Sequence, residues 1–332
     1  MLACLAVAVA ARAVAGSIGL GIDTALALGI GLAAGTVPSV RSVILPGARL
    51  AARQLLRIGV ALLGARLTID AVVEGGAAAI VGASVIVAVG LTLGLWVARR
   101  MALPGRLGLL IAVGMAICGN SAILAMAPVV RAEDRETTYA VSTITVFGLV
   151  AVLVLPVLGH VLGLADGVFG TWAGLSVNDT AQVVATGFAF SPPAGDVATI
   201  VKLTRNLAIA PVLIGAALLV GGAQRHVSTR VAVARAVPWF VAGFVALAGI
   251  RSMGLLDGAL PWGGTLADAL SAAATWLILV ALAGVGASAD LRSTIGIGPR
   301  PFLLGLVLWL VILALGMALA TVVGGTVYDG LH

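Results

Sequence analysis

Charge is scarce in this chain, and lysine is almost absent. Only 10% of the 332 residues are charged, whereas soluble domains carry about 25%, so a soluble fold is excluded. Aromatic residues make up 5% of the chain and the arginines are dispersed, which argues against a nucleic-acid partner. The chain is 61% hydrophobic with a mean hydropathy of +1.19. This composition predicts an all-α polytopic membrane protein that lies in the lipid bilayer.

Cysteine and histidine are also few, and this excludes several kinds of chemistry. Cys4 and Cys118 lie in apolar runs and form no disulfide or metal-binding pattern. The three histidines are not spaced as metal ligands, and no P-loop, Rossmann glycine pattern or Ser-His-Asp elbow occurs. We therefore predict no metal, no cofactor and no enzymatic activity. The alternative is an intramembrane hydrolase built from scattered residues.

Long apolar runs make up most of the sequence. A spanning helix needs about 20 apolar residues, and the sequence offers about eleven such runs, the first of them short or peripheral within residues 1–17. Pro38 and Pro46 are expected to bracket one of the short connections. The predicted helices cover residues 2–16, 18–39, 47–69, 76–98, 107–131, 137–163, 168–190, 196–222, 232–250, 264–290 and 301–324.

The loop arginines predict an orientation in the cell membrane. Loops after odd-numbered helices hold only Arg131, Arg135 and Arg251. The positive-inside rule then places the N-terminus in the cytoplasm and the C-terminus outside. The loops after even-numbered helices, and the helix ends beside them, hold Arg41, Arg49, Arg99, Arg100, Arg106, Arg225, Arg230, Arg235, Arg292 and Arg300.

The helix count also predicts an internal repeat. Residues 18–163 and 164–332 each hold five helices, and five is odd, so the second block enters from the opposite side of the membrane. With a shift of 167 positions, Gly119 aligns with Gly286 and Ser121 with Ser288. A rival match aligns residues 61–70 with 281–290. A homo-oligomer is also compatible with the sequence.

The only lysine, Lys202, lies in an apolar run with Arg205 one turn later. A cation at the centre of a spanning helix costs about 2.5–3.5 kcal/mol, so a functional use is expected, and holding an anion is the natural one. The alternative is that the helix starts late and both side chains reach the lipid headgroups.

Two polar interruptions accompany these cations. The run Cys118-Gly119-Asn120-Ser121-Ala122 predicts a break that exposes backbone amides for an anion; a straight, closely packed helix is the alternative. The run from Ser176 to Gln182 places an acid, Asp179, in a predicted span, where it pairs with Lys202 or Arg205 or exchanges H+ or Na+. The alternative there is a loop whose Asn178 or Asp179 caps a shorter helix.

Three further arginines are expected to make contacts at the membrane surface. Arg53 and Arg57 are four residues apart in the cytoplasmic half of a predicted helix, so headgroup contact is expected. Arg66 is expected to pair with Asp70 at the outer end.

Several segments resemble the YeiH-like bacterial inner-membrane proteins, a family named for sulfate export. The similar stretches are LLRIGVALLGARLT (55–68), CGNSAI (118–123), GTWAGLSVNDTAQVVATGFAF (170–190) and VATIVKLTRNLAIAPV (197–212). Two positions depart from the family. Asn120 stands where the family usually has alanine, and Asn178 stands where it usually has histidine. The second difference removes a titratable group.

The resemblance implies a fold like that of sodium/proton antiporters and bile-acid symporters, with inverted five-helix repeats and broken helices. It also implies transport of sulfate or a related sulfur oxyanion. The residues themselves predict a secondary anion transporter; an anion channel, a carboxylate transporter and a receptor or scaffold are the alternatives. Substrate-binding roles are predicted for Gly119, Asn120, Ser121, Asn178, Thr180, Gln182, Lys202, Arg205, Gly286 and Ser288, and a coupling-ion or charge-partner role for Asp179.

Overall fold

The computed structural model describes residues 1–18, 23–220, 239–261, 263–288 and 298–329. Within these residues the secondary structure is helical, apart from one isolated bridge between Ala259 and Thr265. Five helices are long and apolar enough to cross a membrane, namely Val73–Arg100, Asp134–Val161, Pro192–Ala216, Leu266–Ser288 and Pro299–Asp329. The predicted class, a helical polytopic membrane protein, is confirmed.

The helices follow the apolar runs, and three runs each contain a pair of helices. Runs 107–131 and 168–190 form the pairs α6–α7 and α9–α10, which are the two broken helices, and run 196–222 forms α11–α12, joined by a short turn at 207–208. The helices are α1 Leu2–Ile18, α2 Asp23–Thr36, α3 Pro38–Leu50, α4 Leu56–Leu63, α5 Ile69–Arg100, α6 Gly105–Ala116, α7 Asn120–Val130, α8 Asp134–Val161, α9 Asp166–Ser176, α10 Thr180–Phe190, α11 Pro192–Asn206, α12 Ile209–Val220, α13 Trp239–Ser252, α14 Leu266–Ser288 and α15 Pro299–Asp329.

The connection expected between Pro38 and Pro46 is instead helix, so that prediction was wrong. Pro38 lies at the first position of α3, where its missing N–H removes no hydrogen bond. Pro46 lies inside α3. Helical structure then continues through a π-helical turn, Ala51–Leu55, into α4 and a 3₁₀ turn, Gly64–Arg66. A single helical stretch therefore runs from Pro38 to Arg66.

Small residues bring the helices close together. Gly90 and Gly94 of α5 face Ala116 and Ala112 of α6, where an added Cβ would lie 2.8 and 2.6 Å from the alanine Cβ atoms. Gly31 and Gly35 of α2 meet the backbone of α14 in the same way. In lipid, such close backbone approach is a main source of helix association.

The helices form two groups. The first group contains α1–α4, α13 and α14, and the second contains α5–α12 and α15. The groups meet where α10 contacts α2 and α14, and where α13 contacts α5. Both broken helices belong to the second group.

An ion pair also joins the two groups. Arg66 donates from Nη1 to Asp196 Oδ2 of α11 (3.3 Å) and from Nη2 to Thr275 Oγ1 of α14 (2.6 Å). The expected partner of Arg66 was Asp70, and that prediction was wrong. The 3₁₀ turn ends the helix at Arg66 and directs its side chain toward α11, while Asp70 lies exposed at the start of α5.

We expect the Arg66–Asp196 pair to add little stability, because both side chains retain solvent access and exposed pairs contribute about 0–1 kcal/mol. Arg66→Gln and Asp196→Asn should each lower the melting temperature of the detergent-solubilised protein by roughly 1–3 °C. The double variant should be no worse than the poorer single variant. Fully additive losses in this double-mutant cycle would contradict a direct interaction.

Candidate site at the meeting of two broken helices

The first break lies between α6 and α7. Ile117 leaves the helix with φ −117° and ψ −88°, and Gly119 adopts φ +63° and ψ −127°. The latter conformation resembles the first central residue of a type II′ turn, which glycine favours. The predicted interruption at Cys118–Ala122 is confirmed, and the straight-helix alternative is wrong.

The second break lies between α9 and α10. Val177 and Asp179 are extended, with ψ 140° and 139°. Asp179 is the N-cap of α10, and its Oδ1 accepts a hydrogen bond from Ala181 N (2.9 Å). One alternative had Asp179 capping a shorter helix from a loop. Asp179 does cap a helix, but it does so at a break between two half-helices rather than in a loop.

The two breaks are in direct contact. An added Cβ on Gly119 would lie 3.2 Å from Asp179 N and 3.3 Å from the Asn178 carbonyl carbon. Because Gly119 and Asp179 are the N-caps of α7 and α10, the N-termini of two half-helices lie side by side. Each N-terminus carries roughly half a positive unit charge and free amide groups.

Lys202 lies beside these breaks and is completely buried, with 0% exposure. Its Nζ donates to the carbonyl oxygens of Ile117 (2.8 Å), Val177 (3.0 Å) and Asn178. An ammonium group has three N–H donors, so all of them are used by the backbone. Lys202 therefore joins the two breaks and has no N–H left for direct contact with a solute.

Arg205 extends the same arrangement and is also completely buried. Its Nε donates to Ile117 O (2.6 Å), Nη1 to Leu175 O and Nη2 to Val177 O (3.2 Å). These carbonyls lie at or near the C-terminal ends of α6 and α9, where helices leave carbonyls unsatisfied and favour positive charge. The alternative in which both cations reach the headgroups is wrong, because α11 already starts at Pro192 and buries them.

The expected pairing of Asp179 with a cation does not occur. In the described part of the chain, no ion pair joins Asp179 to Lys202 or Arg205, because the cations bind carbonyls and the carboxylate caps α10. Two buried cations thus lie near a single half-buried acid.

Amide side chains complete the polar cluster. Asn120 donates to Thr145 Oγ1 (3.4 Å), and Gln182 donates to Thr145 O (3.3 Å), so both flank one residue of α8. Gly148 provides the space for Gln182, since an added Cβ there would overlap its Oε1. On the other side, Asn206 donates to Thr180 Oγ1 (3.4 Å) and Asn178 to Met115 Sδ (3.1 Å).

The oxygen atoms of these amides are buried and have no hydrogen-bond partner among the described residues. They are Asn120 Oδ1, Asn178 Oδ1, Gln182 Oε1 and Asn206 Oδ1. Buried polar atoms are normally paired, and each exception calls for an explanation. Four such acceptors around one crossing indicate a site for a ligand that donates hydrogen bonds or carries positive charge.

The predicted residues Gly286 and Ser288 are not brought into this cluster. The helix α14 is continuous across Gly286 as far as Ser288, so the expected break at Gly286 is wrong. Gly286 packs against Leu28 and Leu32 of α2, which requires a small residue rather than an open backbone. Ser288 donates to Val285 O of its own helix (3.2 Å). Ser121, by contrast, lies exposed at the start of α7.

Together, the fold and the site define a helical membrane protein with a polar, charged crossing of two broken helices. The chain belongs to the family described as conserved hypothetical protein 698, whose model matches residues 1–305. The YeiH-like family is this same family. No solved structure matches the chain.

Relatives cover nearly the whole chain. A UPF0324 membrane protein of Brucella suis is 34% identical over 304 residues, which is 90% of this chain and 88% of the relative. One from Agrobacterium fabrum is 35% identical over 311 residues, covering 93% and 86%. One from Clostridium tetani is 28% identical over 320 residues, covering 92% and 90%. Their names place them in the membrane and state no substrate.

Proposed function

We propose that the protein is a secondary transporter of a small anion. The observation that carries this proposal is the excess of positive charge at the crossing. Lys202 and Arg205 contribute two units, and the two half-helix C-termini that they cap offset about one. The two N-termini contribute about one more unit, which Asp179 offsets. A net charge of roughly +1 remains at a site of low dielectric constant, and an anion would neutralise it.

The contacts to the anion would come from backbone amides. The first N–H groups of α7 and α10, at Asn120, Ser121 and Thr180, have no carbonyl of their own helix to bind. Ser121 is exposed and Thr180 is half-buried, so a solute can reach them. Lys202 and Arg205 would then attract the anion through their positive charge without contacting it. This role replaces the one predicted for them as direct ligands.

We further propose Na+ as the coupling ion. The unpaired oxygens of Asn120 and Gln182 flank Thr145, and the Asp179 carboxylate lies at the adjoining N-cap. Amide and carboxylate oxygens suit hard cations. Because the empty site is already positive, Na+ binds well only once the anion is present, and this mutual dependence couples the two solutes.

Alternating access would arise from movement of the second helix group against the first, since α10, which begins at the site, contacts α2 and α14 of the first group. We retain eleven spans, a cytoplasmic N-terminus and two blocks of five helices as part of this proposal. In support, each apolar run contains a described helix, and each block contains one broken helix.

The test is flux into proteoliposomes, with radiolabelled sulfate, sulfite and a C4-dicarboxylate offered in turn. We expect saturable accumulation of one of them, driven by an inward Na+ gradient. Asp179→Asn keeps an N-cap residue and should fold normally, but it should lose Na+ stimulation. Non-saturating flux without accumulation would indicate the alternative, an anion channel. If a pH gradient alone drives uptake, and Asp179→Asn abolishes that uptake, the coupling ion is H+.

A further inference from the structure

A π-helical turn lies at the middle of the stretch Pro38–Arg66. It covers Ala51–Leu55 and contains Arg53, and Arg57 follows in α4. At about 1.5 Å per residue, Arg53 lies about 20 Å from each end of this stretch. Single π-helical turns inside α-helices occur frequently at functional sites.

Both arginines are exposed, although the adjoining Ala51 and Leu56 are buried. Residues four apart on a helix are neighbours on one face, so the two guanidinium groups form a pair. In the described part of the chain no ion pair includes either of them. Within a span, such as the one proposed over residues 47–69, charged side chains are costly, almost always face a polar space rather than lipid, and mark solute pathways.

The arginine pair lies on elements that pack against α14, and α14 also contacts α10, which begins at the second break. The charges of Lys202, Arg57 and Arg53 all act on the Asp179 carboxylate. Arg53 and Arg57 belong to the first helix group, while Asp179 belongs to the second and immediately precedes α10, which contacts the first group. The pair therefore lies across the boundary between the groups from the two half-helix N-termini.

We propose that Arg53 and Arg57 bind the transported anion directly. They form one side of a two-sided site, and the amides of α7 and α10 form the other. This inference rests on the proposed transport function and assigns its ligands. It also assigns the solute class, an anion with two negative charges such as an inorganic oxyanion or a dicarboxylate.

The chemistry separates the roles of the four cations. Every N–H of Lys202 is used by carbonyls, and Arg205 donates to the same half-helix ends, so these two hold the framework. Among the described residues, no hydrogen bond or ion pair uses the guanidinium groups of Arg53 and Arg57, and their planar geometry matches two oxygens of an oxyanion or carboxylate. Two additional positive charges at the crossing favour a dianion over a monoanion.

The experiment compares Arg57→Gln, Arg53→Gln and the double variant with Arg300→Gln, whose arginine is exposed at the start of α15. Initial transport rates and thermal-shift binding would be measured with sulfate, succinate and formate. Each single variant should raise the half-saturating concentration for the divalent anions about tenfold. Arg57→Lys should restore only part of this loss. Arg300→Gln should behave as the wild type, and the melting temperatures should change little.

The outcomes distinguish this inference from the proposed function. If the wild type transports none of the anions, the proposed function itself fails. If the wild type transports them and the double variant keeps its affinity, only the assignment of Arg53 and Arg57 is overturned. Equal losses for formate and for the divalent anions would overturn the assignment of a doubly charged solute.

Discussion

Replacing Lys202 by methionine should abolish transport and lower the free energy of unfolding by about 3 kcal/mol. Methionine is similar in length but leaves the carbonyls of Ile117, Val177 and Asn178 without this donor. Arg205 still donates to the Ile117 and Val177 oxygens, so these two lose one bond each, at about 1 kcal/mol per bond. Asn178 O is left without a described donor, which costs about 1–3 kcal/mol. Removing the ammonium also removes its own cost of burial, so the net loss is smaller than the sum of these costs.

The same substitution should separate the two breaks. Arg205 also bonds the carbonyl ends of both breaks, but among the described side chains Lys202 alone bonds Asn178 O as well. Without the ammonium, two helix ends with partial negative charge face each other with one cation between them instead of two. The site that depends on their geometry should therefore be lost along with stability.

The measurement for Lys202→Met is thermal unfolding in detergent together with proteoliposome flux, and a fall in melting temperature of roughly 5–10 °C is expected. Thr204→Val is the matched control, because Thr204 is two residues away and bonds only its own helix, at Ile200 O (3.0 Å). A Lys202→Met protein that melts within 2 °C of the wild type would contradict the framework role.

The rarity of lysine supplies an independent measurement. Because Lys202 is the only lysine in the chain, an amine-reactive reagent can modify only this side chain and the N-terminal amine. The folded protein should resist modification at Lys202, since the side chain is fully buried. Rapid modification in the native protein would show that the ammonium leaves its carbonyls without unfolding of the chain.

The sequence predicted the fold class and most helices because hydropathy determines what a bilayer accepts. It also identified the first break, since Gly119 and its polar neighbours interrupt an apolar run. It could not place the second break by alignment: the match of Gly119 with Gly286 rested on small residues. Small residues serve close helix packing as well as breaks, and packing is their role at Gly286.

The roles of the cations were harder to predict for a physical reason. Sequence shows that Lys202 and Arg205 are costly in lipid, but their partners are backbone carbonyls, which every residue has and no motif reveals. Arg53 and Arg57 lie in the cytoplasmic half of the predicted helix 47–69, and this position predicts headgroup contact. Once the helix is seen to start at Pro38, the same arginines lie in its middle. The sequence feature that could have indicated a binding role is the spacing of Arg53 and Arg57, four residues apart within one helical stretch.

Replacing Gly119 by alanine should also abolish transport, through the backbone rather than through charge. At φ +63° and ψ −127° an L-residue is strained, and the added Cβ would lie 3.2–3.3 Å from Asp179 and Asn178 backbone atoms, which cannot move as a flexible side chain could. We expect a destabilisation of about 1–3 kcal/mol and separation of the two half-helix N-termini.

Gly105→Ala is the matched control for Gly119→Ala, because Gly105 lies at the start of the same broken helix with no heavy atom within 4 Å of an added Cβ. It should retain the wild-type flux and melting temperature. The amine-reactive reagent then tests the cause of the loss: in Gly119→Ala, Lys202 should become modified, because its carbonyl partner Ile117 lies two residues from the altered position. Full transport by Gly119→Ala would show that the amides at the crossing do not need this exact backbone path. In that case Gly119 would be no more than a packing residue like Gly286, and the anion would have to be held from the side of Arg53 and Arg57 alone.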